Sequence, residues 1–225
     1  MDKEYWDKFY EGHSVDDDIK NASTFAKFCQ AKFLQNTAKN IVELGCGNAR
    51  DAYYMTKRGH IVYAIDQAID DTVKQIRKHE NLHLIEEDFV YNDYDFKSSI
   101  DVFYSRFTIH SIEVKDEQHL LSNVYKTLKE GGLFCIEVRT TKDPKFGKGK
   151  HCGGNTYFFD NHNRRFIDSD EFVKTAIGLG FKLKYFTEEN NLSVRGDDNP
   201  VLMRIVLEKW GYEWKWANTH TAIPK

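Results

Sequence analysis

The 225-residue sequence has only three prolines and four cysteines, and it lacks a long uninterrupted apolar run. Scarce proline leaves no Pro-rich linker between domains, and no apolar run approaches the ~20 residues of a membrane-spanning helix. The cysteines form no CxxC pair, and we expect no metal site. Scattered thiols fit a reducing compartment, so we expect a cytoplasmic protein without a membrane partner.

Neither sign of charge dominates, because the formal net charge is only −3. This balance gives no global electrostatic case for a nucleic-acid partner. The length suits one α/β domain with elaborations. We assign it to residues 1–208, with an N-terminal helical cap at 1–39 and a lid insertion at 142–168. An aromatic tail at 209–225 follows, and the oligomeric state stays open.

A glycine-rich turn follows an apolar run at the position where a strand should pass into a helix. Gly45 and Gly47 allow positive φ angles and remove side chains where a ligand approaches the main chain. Asp66 comes 21 residues after Gly45, at the end of a second apolar run. An acidic residue at this distance can hydrogen-bond the hydroxyls of a ribose. The pattern predicts a cofactor that contains adenosine.

The glycine pattern disfavours two common nucleotide-binding motifs. No Gly-Lys-Ser/Thr follows the turn, as a phosphate-binding P-loop would require. Arg50 stands where a dinucleotide fingerprint needs its third glycine, which disfavours a nicotinamide-dependent oxidoreductase. The run from Glu43 to Asn48 instead resembles motif I of the Rossmann-like class I S-adenosylmethionine-dependent methyltransferases. The resemblance implies S-adenosylmethionine as cofactor and S-adenosylhomocysteine as product.

Apolar runs alternate with helix-length segments, which predicts a doubly wound, largely parallel sheet. The predicted strands are Asn40–Leu44, Ile61–Ile65, Leu82–Glu86, Ile100–Tyr104, Leu133–Val138, Lys182–Phe186 and Val201–Leu207. The predicted helices are Asp51–Arg58, Asp70–His79, Glu117–Lys129 and Asp170–Leu179. A helix-free loop joins the last two strands, which predicts an antiparallel pair. The family resembled has such a seven-stranded sheet with an antiparallel last strand.

Further candidates for the cofactor site follow the predicted strands, because ligands of open α/β sheets bind beyond the strand carboxyl ends. Asp88 could hydrogen-bond the adenine amine and Phe89 could pack on its ring, although a solvated acidic turn is an equal alternative. The predicted cofactor-binding residues are Glu43, Gly45, Cys46, Gly47, Asn48, Asp66, Gln67, Asp88, Phe89 and Ser105.

Arg106 and His110 follow the fourth strand and are the candidate catalytic residues. The guanidinium of Arg106 can bind a carboxylate or phosphate, and His110 titrates near neutral pH and could accept a proton. The alternatives are an ordinary salt bridge for Arg106 and a half-buried structural histidine for His110. We also expect Arg106, Arg139, Arg165 and Tyr157 to bind the acceptor.

The insertion at 142–168 contains aromatic residues that favour an ordered lid, and its basic residues favour an anionic acceptor. Solubilising surface charge is the alternative for each basic residue. Three segments, Tyr104–Arg106, Ile136–Lys150 and Asp160–Phe166, resemble bacterial methyltransferases encoded with capsule and surface-polysaccharide genes. The resemblance implies methylation of an oxygen on a small anionic precursor, of the sugar-nucleotide or phosphoramidate type. A non-catalytic cofactor-binding scaffold and a methyltransferase for an unrelated small molecule remain alternatives.

Overall fold

The computed structural model describes residues 21–35, 37–95 and 99–210. Most of the predicted N-terminal cap and of the aromatic tail therefore lies outside the described residues. The helices are α1 (Thr24–Lys32), α2 (Arg50–Thr56), α3 (Asp71–Ile76), α4 (Val114–Thr127) and α5 (Ser169–Gly178), with a 3₁₀ turn at Ile109–Ser111. The strands are β1 (Asn40–Leu44), β2 (Ile61–Asp66), β3 (Leu82–Glu86), β4 (Ile100–Arg106), β5 (Leu128–Arg139), β6 (Lys150–Gly153), β7 (Thr156–Phe159), β8 (His162–Arg165), β9 (Phe181–Glu189) and β10 (Leu202–Lys209).

Seven strands form one sheet in the order β3-β2-β1-β4-β5-β10-β9. Only β10 runs against its neighbours, since it is antiparallel to both β5 and β9 and the other adjacent pairs are parallel. The predicted fold, a doubly wound seven-stranded sheet with an antiparallel last strand, is confirmed. The strand order reverses between β1 and β4. A crevice is expected beyond their carboxyl ends, where ligands of open α/β sheets bind.

Apolar side chains cover the sheet on both faces. One layer joins strand residues to Phe25 of α1 and Met55 of α2, and the other joins them to Leu121 of α4 and Phe172 of α5. All four of these side chains are almost fully buried. Such two-sided cover explains why the central strands are apolar along their whole length.

Side-chain caps fix the starts of several helices. The hydroxyl of Ser23 accepts from the Ala26 N–H at the start of α1, and the carboxylates of Asp70 and Asp168 do the same for α3 and α5. Each cap satisfies backbone donors that have no partner within the helix. Within the described ranges, no helix has the length and apolar character needed to cross a bilayer.

The insertion contains a separate antiparallel sheet of three short strands, in the order β6-β7-β8. We call residues 150–165 the hairpin sheet. Its strands have four residues each and carry many exposed polar side chains, so periodicity did not reveal them. The predicted helix end at Lys129 is wrong: α4 ends at Thr127, and β5 begins at Leu128, five residues before its predicted start.

Replacing Gly45 with alanine should destabilise the fold far more than an ordinary glycine substitution. Gly45 has a φ of +68°, and a Cβ there would lie 2.4 Å from Cγ2 of Thr108. Gly131 is a matched control, because its φ is +73° and a Cβ there would meet no atom within 4 Å. Urea unfolding should show a loss of about 1 kcal/mol for Gly131→Ala and about 3 kcal/mol for Gly45→Ala. Equal losses would contradict the contact with Thr108.

Candidate functional site

The loop after β1 is a tight turn fixed to β2 by backbone and side-chain hydrogen bonds. Gly45, Gly47 and Ala49 have φ values of +68°, +51° and +53°. The N–H of Gly47 donates to Oδ2 of Asp66 over 2.8 Å, and the N–H of Ala68 donates to Oδ1 over 3.0 Å. Asp66 therefore orders the glycine loop itself. Each carboxylate oxygen can accept more than one hydrogen bond, so this role is compatible with a ribose.

Thr108 makes the close approach at Gly45. Its hydroxyl donates to the Leu44 carbonyl over 2.8 Å, and its methyl group covers the Cα of Gly45. The expectation that a ligand requires glycine at position 45 needs correction, because the side chain of Thr108 already requires it. The contact joins the ends of β1 and β4 and fixes the floor of the crevice.

Buried polar atoms without a partner mark the ends of β1 and β4. Within the described part of the chain, Oε2 of Glu43 and Oγ of Ser105 are buried and accept or donate no hydrogen bond. Burial, followed by the nearby charge of Asp51, raises the pKa of Glu43 well above its ordinary value. This shift favours the protonated form of Glu43, which can donate as well as accept. Unsatisfied groups of this kind fit a site that receives a polar ligand.

Asp51 is a buried carboxylate that sequence reasoning missed. It accepts from the backbone N–H and the hydroxyl of Ser23, each over 2.7 Å, and from the Tyr104 hydroxyl over 2.8 Å. These bonds hold the start of α1 against α2 and β4. In the sequence, Asp51 is only an acidic residue in the first turn of a predicted helix, which is common.

The other predicted cofactor residues separate into two groups. Cys46 and Asn48 are buried in the glycine loop, and Gln67 and Asp88 are half-buried after β2 and β3. Oδ1 of Asp88 accepts from the N–H of Val90 over 2.8 Å. Phe89 is fully buried in the core, which leaves no exposed ring face. This burial does not favour the predicted contact with adenine, which stays a prediction.

Arg106 forms the salt bridge that was the alternative to a catalytic role. Its Nε donates to Oε1 of Glu137 over 2.9 Å, and a terminal nitrogen donates to the Ser193 hydroxyl over 2.7 Å. Glu137 is fully buried and also accepts from Nε of Arg204 over 2.6 Å. Two guanidiniums thus stabilise one buried carboxylate, an arrangement that is costly to break.

Arg139 and Arg165 are also engaged inside the protein. Arg139 donates to Asp143 over 2.7 Å and to Asp198. Arg165 donates to the carbonyls of Ile109 and Ile112, in and directly after the 3₁₀ turn. It also donates to Oε2 of Glu117 over 2.5 Å, which fixes the hairpin sheet to α4. The expectation that these arginines reach out to an acceptor needs correction, because their donors already bind internal oxygens. They can act on an acceptor through their charge.

Tyr157 lies in the aromatic cluster of the insertion. Its ring packs edge-to-face on Phe146, with 5.4 Å between centroids, and lies 5.1 Å from the ring of His151. The side chain is half-buried. These contacts give it a packing role in the hairpin sheet, and its role toward an acceptor stays a prediction.

His110 is buried in a positive environment. Within the described residues, its Nδ1 is buried without a hydrogen-bond partner. Burial, followed by the charges of Arg164 and Arg139 and then by His162 and Arg165, holds the pKa of His110 well below its ordinary value. The ring is therefore neutral near pH 7 and is in the state required to accept a proton.

Comparison with known proteins supports the same fold and domain. Residues 41–132 match the family model described as "Methyltransferase domain". This segment of 92 of the 225 residues is similar to a methyltransferase domain. A search of curated protein sequences returns no match. The predicted enzyme class, an S-adenosylmethionine-dependent methyltransferase, and the predicted cofactor are confirmed at the level of this domain.

Solved structures show the same architecture at low sequence identity. The 1,6-didemethyltoxoflavin-N1-methyltransferase of Burkholderia thailandensis, solved with 1,6-didemethyltoxoflavin and S-adenosylhomocysteine, has a TM-score of 0.68 and 15% identity, over 92% of this chain and 87% of that one. An S-adenosylmethionine-dependent methyltransferase from Clostridium acetobutylicum has a TM-score of 0.63 and 13% identity, over 92% of this chain and 99% of that one. The glycopeptide N-methyltransferase MtfA, solved with S-adenosylhomocysteine, has a TM-score of 0.61 and 15% identity, over 87% of this chain and 94% of that one. At these identities the likeness shows a class I methyltransferase fold.

The buried His110 should make the methyltransferase less stable as the pH falls. Its pKa is lowered in the folded state, so below about pH 6.5 the unfolded chain takes up a proton that the folded chain does not. His110→Asn removes this effect and leaves the other histidines in place. The stability advantage of the wild type over the variant should shrink by up to about 1.4 kcal/mol per pH unit below 6.5. Urea unfolding at pH 7.5, 6.5 and 5.5 measures it, and a constant difference would contradict a neutral buried ring.

Proposed function

We propose that this methyltransferase transfers the methyl group of S-adenosylmethionine to an oxygen of a small anionic acceptor. The observation that carries the proposal is the glycine loop, which Asp66 orders at the point where the strand order reverses between β1 and β4. The cofactor, when bound, supplies a methyl group on a positively charged sulfur. The protein's own contribution is to bind, to orient and to exclude water.

The residues present fit this cofactor. The carboxyl group of Glu43 and the hydroxyl of Ser105 offer unsatisfied hydrogen-bonding atoms at the ends of β1 and β4. The carboxylate of Asp66, at the end of β2, suits two ribose hydroxyls, and half-buried Asp88 suits the adenine amine. Gly45 and Gly47 turn the backbone between these groups. Cys46, Asn48 and Gln67 complete the proposed cofactor site.

An anionic acceptor is supported by the electrostatics around His110. Arg139, Arg164 and Arg165 all oppose protonation of this ring, even though Arg139 and Arg165 have carboxylate partners. Burial, the largest cause of the low pKa of His110, disfavours any charge, but the arginine charges that add to it favour an anion. The bound anion would offset the arginine charges and make His110 a stronger base. This coupling supports His110 as the group that accepts a hydroxyl proton during transfer.

The surface-polysaccharide role of the acceptor rests on the resemblance of three sequence segments. We propose a capsule or surface-polysaccharide precursor of the sugar-nucleotide or phosphoramidate type, modified in the cytoplasm. Three of the four cysteines are buried and none is paired, which supports a reducing compartment. A second candidate is transfer to nitrogen of an unrelated small molecule. It is favoured by the names of two similar structures, a toxoflavin-precursor and a glycopeptide N-methyltransferase.

Binding of the cofactor product tests the first step. Calorimetric titration with S-adenosylhomocysteine should show one site, and Asp66→Ala should weaken it by at least about tenfold, or 1.4 kcal/mol. Asp71→Ala is the matched control, because that carboxylate is 89% exposed and lies one turn beyond the site. Absence of binding to the wild type, or undiminished binding to Asp66→Ala, would refute the cofactor assignment.

Labelled methyl transfer tests the acceptor. S-adenosylmethionine with a labelled methyl group, incubated with a pool of sugar nucleotides and phosphorylated metabolites, should give labelled anionic products. Pretreatment of the pool with a nucleotide pyrophosphatase and a phosphatase, both removed before the assay, should abolish labelling, since together they remove the acceptor's charge. Labelling that survives this treatment would favour the unrelated small molecule. Cofactor binding with no labelling from any pool would favour the non-catalytic scaffold.

A further inference from the structure

Phe107 has a backbone conformation that aromatic residues rarely adopt. It directly follows β4, and its φ is +57°. The left-handed region brings Cβ too close to the carbonyl oxygen, so bulky residues there are genuine outliers. Strain of this kind persists where the surroundings impose it and collects at functional sites.

Hydrogen bonds on both sides hold this turn in place. The N–H of Phe107 donates to the Glu137 carbonyl on β5 over 2.9 Å. The hydroxyl of the next residue, Thr108, donates to the Leu44 carbonyl on β1 over 2.8 Å. Because β4 lies between β1 and β5, the turn is fixed to both neighbours of its own strand. The backbone of Phe107 cannot relax without breaking one of these bonds.

The strained backbone places the ring at the candidate active site. The side chain is half-buried at the carboxyl end of β4. The guanidinium carbon of Arg106 lies 4.3 Å from the ring centroid and that of Arg139 lies 5.9 Å away. The centroid of the His110 imidazole lies 5.8 Å from the centroid of the Phe107 ring. The ring thus adjoins the candidate base within the positive region.

The two neighbours of Phe107 in the turn have internal roles. The side chain of Arg106 pairs with buried Glu137, and that of Thr108 covers Gly45. Both cations near the ring are also paired with carboxylates. An acceptor that approaches this end of β4 would therefore meet an aromatic surface flanked by partly neutralised cations.

We propose that Phe107 is a specificity-determining residue, whose ring packs on the sugar of a phosphorylated sugar acceptor and whose backbone strain is retained for that contact. The inference rests on the proposed function and deepens it. The C–H face of a sugar packs on an aromatic ring, and its phosphate would lie toward Arg139 and Arg164. This arrangement would place a sugar hydroxyl next to His110, the proposed base.

Three substitutions separate this role from a purely structural one. Phe107→Gly and Phe107→Ala both remove the ring, but only alanine keeps the left-handed strain. Phe107→Gly should therefore melt at a higher temperature than Phe107→Ala. Both should bind S-adenosylhomocysteine as the wild type does, because the ring lies outside the glycine loop. Labelled methyl transfer to the sugar-nucleotide pool should fall at least about tenfold in both, which is typical for loss of an apolar contact. Phe107→Tyr, which keeps the ring, should retain activity.

The outcomes distinguish this inference from the proposed function. A wild type that binds no S-adenosylhomocysteine, or that labels nothing in the pool, overturns the proposed function and this inference with it. A wild type that labels the pool while Phe107→Gly does so equally well overturns this inference alone. A glycine variant that is inactive and no longer binds S-adenosylhomocysteine also overturns it, since Phe107 would then support the cofactor loop.

Discussion

The hydrogen bond from the N–H of Gly47 to the carboxylate of Asp66 is the interaction on which the candidate site depends. It links the turn after β1 to the end of β2 and fixes the direction of the loop's backbone groups. Thr108 fixes the same loop from β4 by covering Gly45. The loop is thus held from both neighbouring strands before any ligand arrives. Such preorganisation lowers the conformational cost of binding.

Charge at the acceptor end of the crevice acts mainly through internal pairs. Glu137 holds Arg106 and Arg204, and Glu117 holds Arg165. These bonds fix strand ends and attach the hairpin sheet to α4. The positive charges of Arg164, Arg139 and Arg165 oppose protonation of His110. Arg139 and Arg165 therefore support both the structure, through their carboxylate partners, and the proposed recognition of an anion.

The sequence predicted the sheet well because its central strands are apolar on both faces and end in turns. It also placed Asp66 at the end of β2, since the distance from Gly45 follows from the β-α-β geometry, while the contact of Asp66 with a ribose stays a prediction. It could not reveal the hairpin sheet, whose strands have only four residues each. The sequence near Arg106 does not show that this side chain pairs with Glu137, 31 residues away. The sequence near Phe107 likewise does not show that this residue takes a positive φ. Those features arise from tertiary contacts.

A crystal structure of the protein with S-adenosylhomocysteine tests the central claim most directly. The account predicts the homocysteine portion against Gly45–Gly47, the ribose on Asp66 and the sulfur directed toward Phe107 and His110. It would be contradicted by a ligand bound elsewhere, such as in the open groove of about 580 Å³ beside β3 that Lys74, Arg77 and Leu84 help to line.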